Sequence, residues 1–406
     1  MSYLAGASTQ DISREIQAVQ ANIQNLSRTA DGGDQTQRQA LLGSARKLVT
    51  ALETPGHVVA RMSWEEPTTS AALRMLIDLN IFKLMIGGET SVPQQASELA
   101  QASGADPVLI QRLMKRVAST SPPLIEETGP DEYTPNRWTQ TFADDVNTGT
   151  FTDIYDGWTP ACSRITEFMR AENYKNPISK DNTIWKFGTG SDLPYFTWMQ
   201  AQDERQRAFA NHMKFKSIRQ NWYDTVTLNE IFPENFNAKE VLIVDVGGNA
   251  GHDLLGFSRA HPKQPGRLIL QDLPGQIQPL DKQELSPIEP MCHDFFTPQP
   301  VKGAKAYYLK MVLHDWPDSQ CREILNNLKP ALVPGFSKIL INEIVVLDYG
   351  ADWFSTSVDM IMMIFHSSWE RREKQWRELI ESVGLKVTRI WPCGGAPEKL
   401  IEVELA

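Results

Sequence analysis

The pattern of apolar and polar positions divides the chain into a helical first part and a strand–helix second part. Residues 11–53 hold two stretches of helical period, DISREIQAVQANIQNLSRT and TQRQALLGSARKLVTALE, parted by the polar, glycine-rich TADGGDQ. Both are short and polar, so they are expected to pack on something else, such as a partner subunit. Another helix is expected from about Thr68 to Met85, through AALRMLIDLNIFKLM. In SVPQQASELAQASGADPVLIQRLMKRVAST, Ser91 before Pro93 reads as a helix start, Gly104 as a stop and Asp106-Pro107 as a restart. That is helix–turn–helix spacing, and LIEETGPDEYTPN after it reads as a small β-ribbon. Residues 150–235 carry aromatic residues and methionines three or four apart, Trp158, Trp185, Tyr195, Trp198 and Met213 among them. Most read as core, although a large apolar pocket draws on the same residue types.

From Lys239 the period alternates. Candidate strands are VLIVDV, RLILQD, AKAYYLKMVL, KILINEIVV, VTRIW and LIEVEL, with a short one around Met291. Candidate helices are GHDLLGFSRAH, SQCREILNNLKPAL, STSVDMIMMIFHS and REKQWRELIESVG. Repeated βα units imply an α/β fold with a doubly wound, mainly parallel sheet. The last strand follows the GGAPEK turn so closely that one antiparallel pair is expected at or near the edge.

Composition narrows the partners. A chain of 406 residues can hold two domains. A net charge of −10 argues against nucleic acid, whose phosphates call for a basic surface. The second helix of the helix–turn–helix carries few basic residues beyond Arg112, Lys115 and Arg116, which favours a dimerisation or lid role over DNA reading. Cys162, Cys292, Cys321 and Cys393 lack C-x-x-C spacing and read as reduced thiols. No apolar run is long enough to span a bilayer, the first residues lack the form of a secretory signal, and the expected location is the cytosol.

The chemistry concentrates in the second part. VLIVDVGGNAGHDLL is an apolar run ending in Gly247, Gly248 and Gly251, where a helix begins. Glycine permits positive φ and brings a ligand close to bare backbone, so this reads as a nucleotide-type site. Asp272, followed by Leu273, ends the second strand 27 residues after Asp245 and is placed to grip ribose hydroxyls. The loop is not G-x-G-x-x-G, which turns the reading from a dinucleotide toward a nucleoside such as S-adenosylmethionine. In HDFF, Asp294 is placed either to meet an adenine amine, with Phe295 on the ring, or to cap a helix. His314, after the strand Ala304–Leu313, stands where open α/β sheets bind ligands and suits a general base. Glu343 is a carboxylate inside an apolar strand and demands a partner; pairing with His314 would orient the imidazole. Glu370 could supply a second carboxylate or be a solvated helix-start residue. No His/Cys/Asp cluster has metal-ligand spacing, so no metal is expected.

These blocks, in order ALETPG, DVGGNAGHD, LILQDLP, HDFF, LHDWPD, INEIVV and ERREKQW, resemble the S-adenosylmethionine-dependent O-methyltransferases of the plant caffeate/flavonoid type, in the form common in fungal secondary metabolism. The resemblance covers roughly residues 40–406. It implies a winged-helix-like dimerisation domain over residues 1–150, hence a homodimer, and a Rossmann-like class I methyltransferase domain over 151–406. In the latter, 151–235 would be a helical substrate-lining segment and 236–406 the core. It implies cofactor contacts at Gly247, Gly248, Gly251, Asp272, Leu273, Asp294, Phe295 and Lys310. It implies His314 as base between Glu343 and Glu370, with Trp198 and Met213 facing a small-molecule acceptor. Asn249 replaces a third glycine frequent in the family. The implied reaction is displacement of the sulfonium methyl by a phenol or enol oxygen. Some relatives of this architecture bind the same cofactor yet catalyse dehydrations or pericyclic reactions, so methyl transfer and that chemistry both stand as expectations; a non-catalytic winged-helix regulator is the third.

Overall fold

A computed structural model of the chain describes residues 7–27, 35–87, 92–217, 221–232, 236–394 and 397–406. The chain divides into two compact units, Met1–Thr148 and Gly149–Ala406.

In the first unit, the helices Thr9–Ser27 and Gln35–Leu52 lie against each other, with Asn22 donating to Ser44 Oγ at 2.6 Å. The helix expected over 68–85 is two helices, Glu66–Asp78 and Ile81–Gly87, because Asn80 takes a left-handed φ of 54° between them. Ser91 lies outside the described residues. The next helix, Ala96–Ser103, starts instead after the two-residue strand β1 (Gln94–Gln95), where Glu98 accepts from the Gln95 amide. Gly104 closes that helix in the left-handed region at φ 71°, and Asp106 caps Pro107–Ala118 by accepting from the Val108 and Leu109 amides. The ribbon is β2 (Glu126–Gly129) paired antiparallel with β3 (Glu132–Thr134), and β3 also takes β1. Lys115 is paired with Glu127 and Asp131, and Arg116 donates to Thr69, so both cations serve this unit's own contacts.

The second unit is built on β4 (Val241–Val246), β5 (Arg267–Asp272), β6 (Glu289–Cys292), β7 (Ala306–Lys310), β8 (Lys338–Val346), β9 (Arg371–Arg372), β10 (Leu385–Pro392) and β11 (Glu398–Leu405). The strand order is β10-β11-β8-β7-β4-β5-β6, with β9 beside the end of β8. β6-β5-β4-β7-β8 are parallel; β11 is antiparallel to both β8 and β10. β4, β5, β7 and β8 are buried on both faces, which is why they read as nearly unbroken apolar runs, while the edge strand β6 is partly exposed. Val244, Val246, Ile269 and Ile341 fill one face, and Leu242, Leu268, Leu270 and Leu340 the other. The chain steps outward from β4 to β6 and then returns to β7 on the other side of β4. Open α/β sheets bind ligands at such a switch point, outside the carboxyl ends of the strands.

One boundary differs in a way that matters. The strand expected to run to Leu313 ends at Lys310, because Met311 adopts a left-handed φ of 50° and Leu313–Asp315 form a single 3-10 turn. The helix after it begins at Asp318 with Pro317 at the cap position and no side-chain cap bond. Among the described residues no helix is long and apolar enough to cross a membrane.

Candidate active site

The loop after β4 is held by its backbone. Gly247 and Gly251 have φ of 76° and 74°, and a Cβ on Gly247 would meet Val312 at 3.1 Å and Phe295 at 3.5 Å. A Cβ on Gly248 would strike Asp245 and Leu270 at 2.5 Å. The Gly247 and Gly248 amides both donate to the Gln271 carbonyl, at 2.8 and 3.1 Å, which folds the loop back over β5. Asn249 occupies the left-handed region at φ 51°, a conformation that asparagine tolerates better than most residues. Its amide donates to Asp272 Oδ2 at 2.8 Å, while the Leu273 amide donates to Oδ1 at 2.7 Å. Burial raises Asp272 against those two bonds, and it raises the wholly enclosed Asp245 far more. Lys310 at the end of β7 pairs with Asp253 at 2.7 Å, tying β7 to the helix His252–Ala260 that the loop opens. The glycine loop leaves bare backbone beside Asp272 at the carboxyl ends of the strands, a donor set that fits a nucleoside cofactor with a short polar tail. Asp294 is exposed and accepts from the Phe296 amide at 2.9 Å, so it caps its own turn, while Phe295 lies half-buried beside the loop.

The His314 turn after β7 is held by side chains from far along the chain. His314 is 2% exposed, and its Nδ1 lies 2.7 Å from Glu370 Oε1. Glu343, in the middle of β8, does not bond the imidazole, which corrects the expected pairing. Its Oε1 accepts from the Val312 and Leu313 amides at 2.9 and 2.8 Å. Those amides are left without a ladder partner by the left-handed Met311, so Glu343 orients the turn and Glu370 orients the ring. Ser368 Oγ donates to the His314 carbonyl at 2.5 Å, and Asp359 accepts from the Glu370 amide at 2.8 Å. On the far side of the ring, Nε2 lies 3.4 Å from Asp315 Oδ1, and His366 Nε2 lies 3.7 Å from the same oxygen. Burial opposes charge on His314, but Asp315, Glu370 and Glu343 outweigh it and push the imidazole up to about 9. Burial lifts Glu343 to about 7, with His314 pulling the other way. Facing atoms of His314, Glu343 and Glu370 lie within 4.8 Å of one another. Glu370 Oε1 is spent on the ring and Glu343 Oε1 on two amides, so the set is poorly suited to a metal ion.

Residues 174–386 match the O-methyltransferase domain family. Methyltransferase cfoC of Aspergillus candidus is 35% identical over 90% of each chain. Demethylsterigmatocystin 6-O-methyltransferase of Aspergillus flavus is 32% identical over 92% of this chain and 94% of that one. The structure of LepI in complex with SAM superposes with a TM-score of 0.84 at 30% identity, covering 97% of this chain and all of that one. A chain described as a pericyclic reaction enzyme matches with the same score and identity. The chain belongs to the S-adenosylmethionine-dependent O-methyltransferases of fungal secondary metabolism. It is an enzyme, and S-adenosylmethionine is its cofactor.

The methyltransferase's second unit also holds groups that sequence reasoning did not single out. Arg371, beside Glu370, is fully buried and passes both Nε and Nη2 to Asp318 Oδ1, at 3.0 and 2.8 Å. Its remaining reach goes to the Leu313 and Trp316 carbonyls at 3.2 and 3.0 Å, one on each side of His314. Elsewhere, Tyr195 donates to Asp153 at 2.8 Å and His212 Nδ1 meets the other oxygen at 2.7 Å. Tyr195 also stacks on Phe365 at 4.2 Å, and Phe196 stacks on His366 at 4.9 Å. This aromatic wall therefore continues into the helix Trp353–His366 that precedes Glu370. Trp198 belongs to the wall, edge-on to Trp185 at 5.3 Å with the Arg205 guanidinium 3.7 Å over its ring. Met213 is half-buried beside His212 on the helix Asp203–Ser217. Asp153 lies 42 and 59 residues from Tyr195 and His212, and the stacked rings lie farther apart still, so only an apolar helix ending directly in His366 could have pointed here.

Proposed function

We propose that the chain methylates a phenolic or enolic hydroxyl of a small aromatic secondary metabolite, with His314 as general base and Glu370 as the group that fixes its ring. The observation that carries this is the 2.7 Å contact between His314 Nδ1 and Glu370 in a buried turn next to the glycine loop. With Nδ1–H donated to Glu370, the lone pair sits on Nε2, where an acceptor hydroxyl can give up its proton. Bound S-adenosylmethionine supplies an electrophilic methyl group on a sulfonium. Gly247, Gly248 and Gly251 would offer its methionine end bare backbone, Asp272 and the neighbouring Leu273 would hold the ribose, and Asp294 and Phe295 would hold the adenine. Lys310 acts through Asp253, holding the loop helix in place. Trp198, Met213 and the Tyr195–Phe365 stack give a flat acceptor an apolar surface and keep water from the reacting oxygen.

The resting imidazole lies near 9, so it must shed a proton before it can serve as a base. That same feature supports a second reading. A charged imidazole beside a sulfonium suits donation to a carbonyl, as a pericyclic or dehydrating reaction requires, and a relative of that kind matches closely. Incubation with S-adenosylmethionine and a panel of polyphenols separates the two. Release of S-adenosylhomocysteine in step with a methylated product supports methyl transfer; an isomer or a dehydrated product with no such release removes it.

We further propose a homodimer formed through the first unit, where Val59, Met62 and Trp64 are 65%, 61% and 73% exposed, and a cytosolic location. Sedimentation equilibrium tests the dimer, and a monomer at micromolar concentration removes it; recovery with membranes on cell fractionation would contradict the location.

A further inference from the structure

We propose that Glu343 works as an un-ionised carboxylic acid that donates its O–H to Glu370, making it a positioning residue that acts on His314 through Glu370. The proposal rests on the assignment of Glu370 as the ring's partner. Each glutamate has one oxygen in use, Glu343 on two amides and Glu370 on the imidazole. The second oxygen of each, Oε2, is buried and has no hydrogen-bond partner. A carboxylate can only accept, so two of them with facing atoms within 4.8 Å, both enclosed, leave two unserved acceptors and a mutual repulsion. One proton shared between them serves both. The carbonyl oxygen of a carboxylic acid still accepts the Val312 and Leu313 amides, so the turn loses nothing.

The surrounding charges agree. Asp315 and His314 face the pair from the turn, and Lys399 stands opposite Glu343 in the β11 register. The nearby Arg371 is committed to Asp318 and two carbonyls. His366 also faces Asp315, and with the two glutamates enclosed side by side a proton on Glu343 relieves their mutual repulsion. Burial moves Glu343 in the same direction. The consequence is chemical. A single negative charge on Glu370 balances the imidazole when it carries the acceptor's proton, and a neutral Glu343 keeps a second charge from holding that proton on the ring too tightly.

Glu343→Gln tests this, because its amide copies the acid: the carbonyl accepts and the NH2 donates. We expect Glu343→Gln to lower kcat less than Glu343→Leu, which can neither accept the two amides nor donate, and Glu370→Gln to lose about 10²-fold. Infrared difference spectra of the wild-type protein below pH 7 are expected to show the carbonyl stretch of a protonated carboxylic acid, and Glu343→Gln to weaken it. Because the glutamate is raised from 4.5 to about 7, wild-type stability is expected to fall as pH rises across that interval, and the variant to lose the dependence. Equal loss of activity in the two glutamine variants overturns the proposal. So does an acid band of equal size in wild type and Glu343→Gln, the result if water bridges two ionised groups, since the buried Asp245 gives its own band in both proteins. The infrared and stability readings hold whichever reaction is catalysed, so they fail separately from the methyl-transfer reading.

Discussion

The two turns that meet at the centre of the sheet are fixed by opposite means. The glycine loop after β4 is fixed by main chain: left-handed glycines, amides returned to the Gln271 carbonyl, and one nearby carboxylate. The His314 turn after β7 is fixed by side chains from residues 343, 368, 370 and 371, each bonded across at least 30 positions of sequence. The loop therefore tolerates almost no added atoms but depends on few distant residues. The turn tolerates side-chain changes within itself poorly for a different reason: its backbone polar groups have no strand or helix to serve them, so each distant partner is a separate requirement.

Four substitutions test this contrast. The largest effect is expected from His314→Ala, which should lower methyl transfer by about 10³-fold with little change in cofactor affinity, read by turnover and calorimetry side by side. Loss of cofactor binding in that variant would mean the two turns are not separately held. Gly248→Val should do the reverse, forcing Asp245 and Leu270 aside and weakening S-adenosylmethionine binding by about 10²-fold. Arg371→Met removes a buried cation while Asp318 keeps its charge, and should cost about 3 kcal/mol in chemical denaturation. In whatever fraction stays folded, kcat should fall more than the cofactor Kd rises. The smallest effect is expected from Asp272→Ala, about tenfold in cofactor Kd with kcat retained at saturation, since only one hydrogen-bonding group is lost; an unchanged Kd would remove its ribose role.

Acidity probes the same contrast. The folded imidazole is raised from 6.5 to about 9, so the stability it contributes is fully present below 6.5 and is lost as pH rises through about 9. Denaturation of wild type and His314→Gln across that interval should therefore converge toward the alkaline end. Parallel curves would show that the ring is not charged in the folded protein.

The same contrast explains what was legible in the sequence. Apolar runs marked β4, β5, β7 and β8, and glycine spacing with Asp272 marked the loop, because strand burial and main-chain turns are written locally. Glu343 was visible as a misplaced charge, yet its partner was not: which acid reaches the ring depends on a left-handed Met311 that no propensity flags. Glu370 looked equally like a solvated residue, and Arg371 stood in the charged run ERREKQW, where nothing shows that one arginine of the pair is fully enclosed. The Asp153–Tyr195–His212 set depends on helices meeting across the second unit, information that exists only after packing.

The helix Trp353–His366 carries Phe365 and His366 at one end and, two turns earlier, Asp359, which anchors the Glu370 amide. Any redesign of the acceptor wall at those rings leans on the same rod that sets the base. Engineering for bulkier acceptors at this helix should therefore trade rate for range, whereas changes around Trp198 and Arg205 leave that lever untouched and offer the safer starting point for altering specificity.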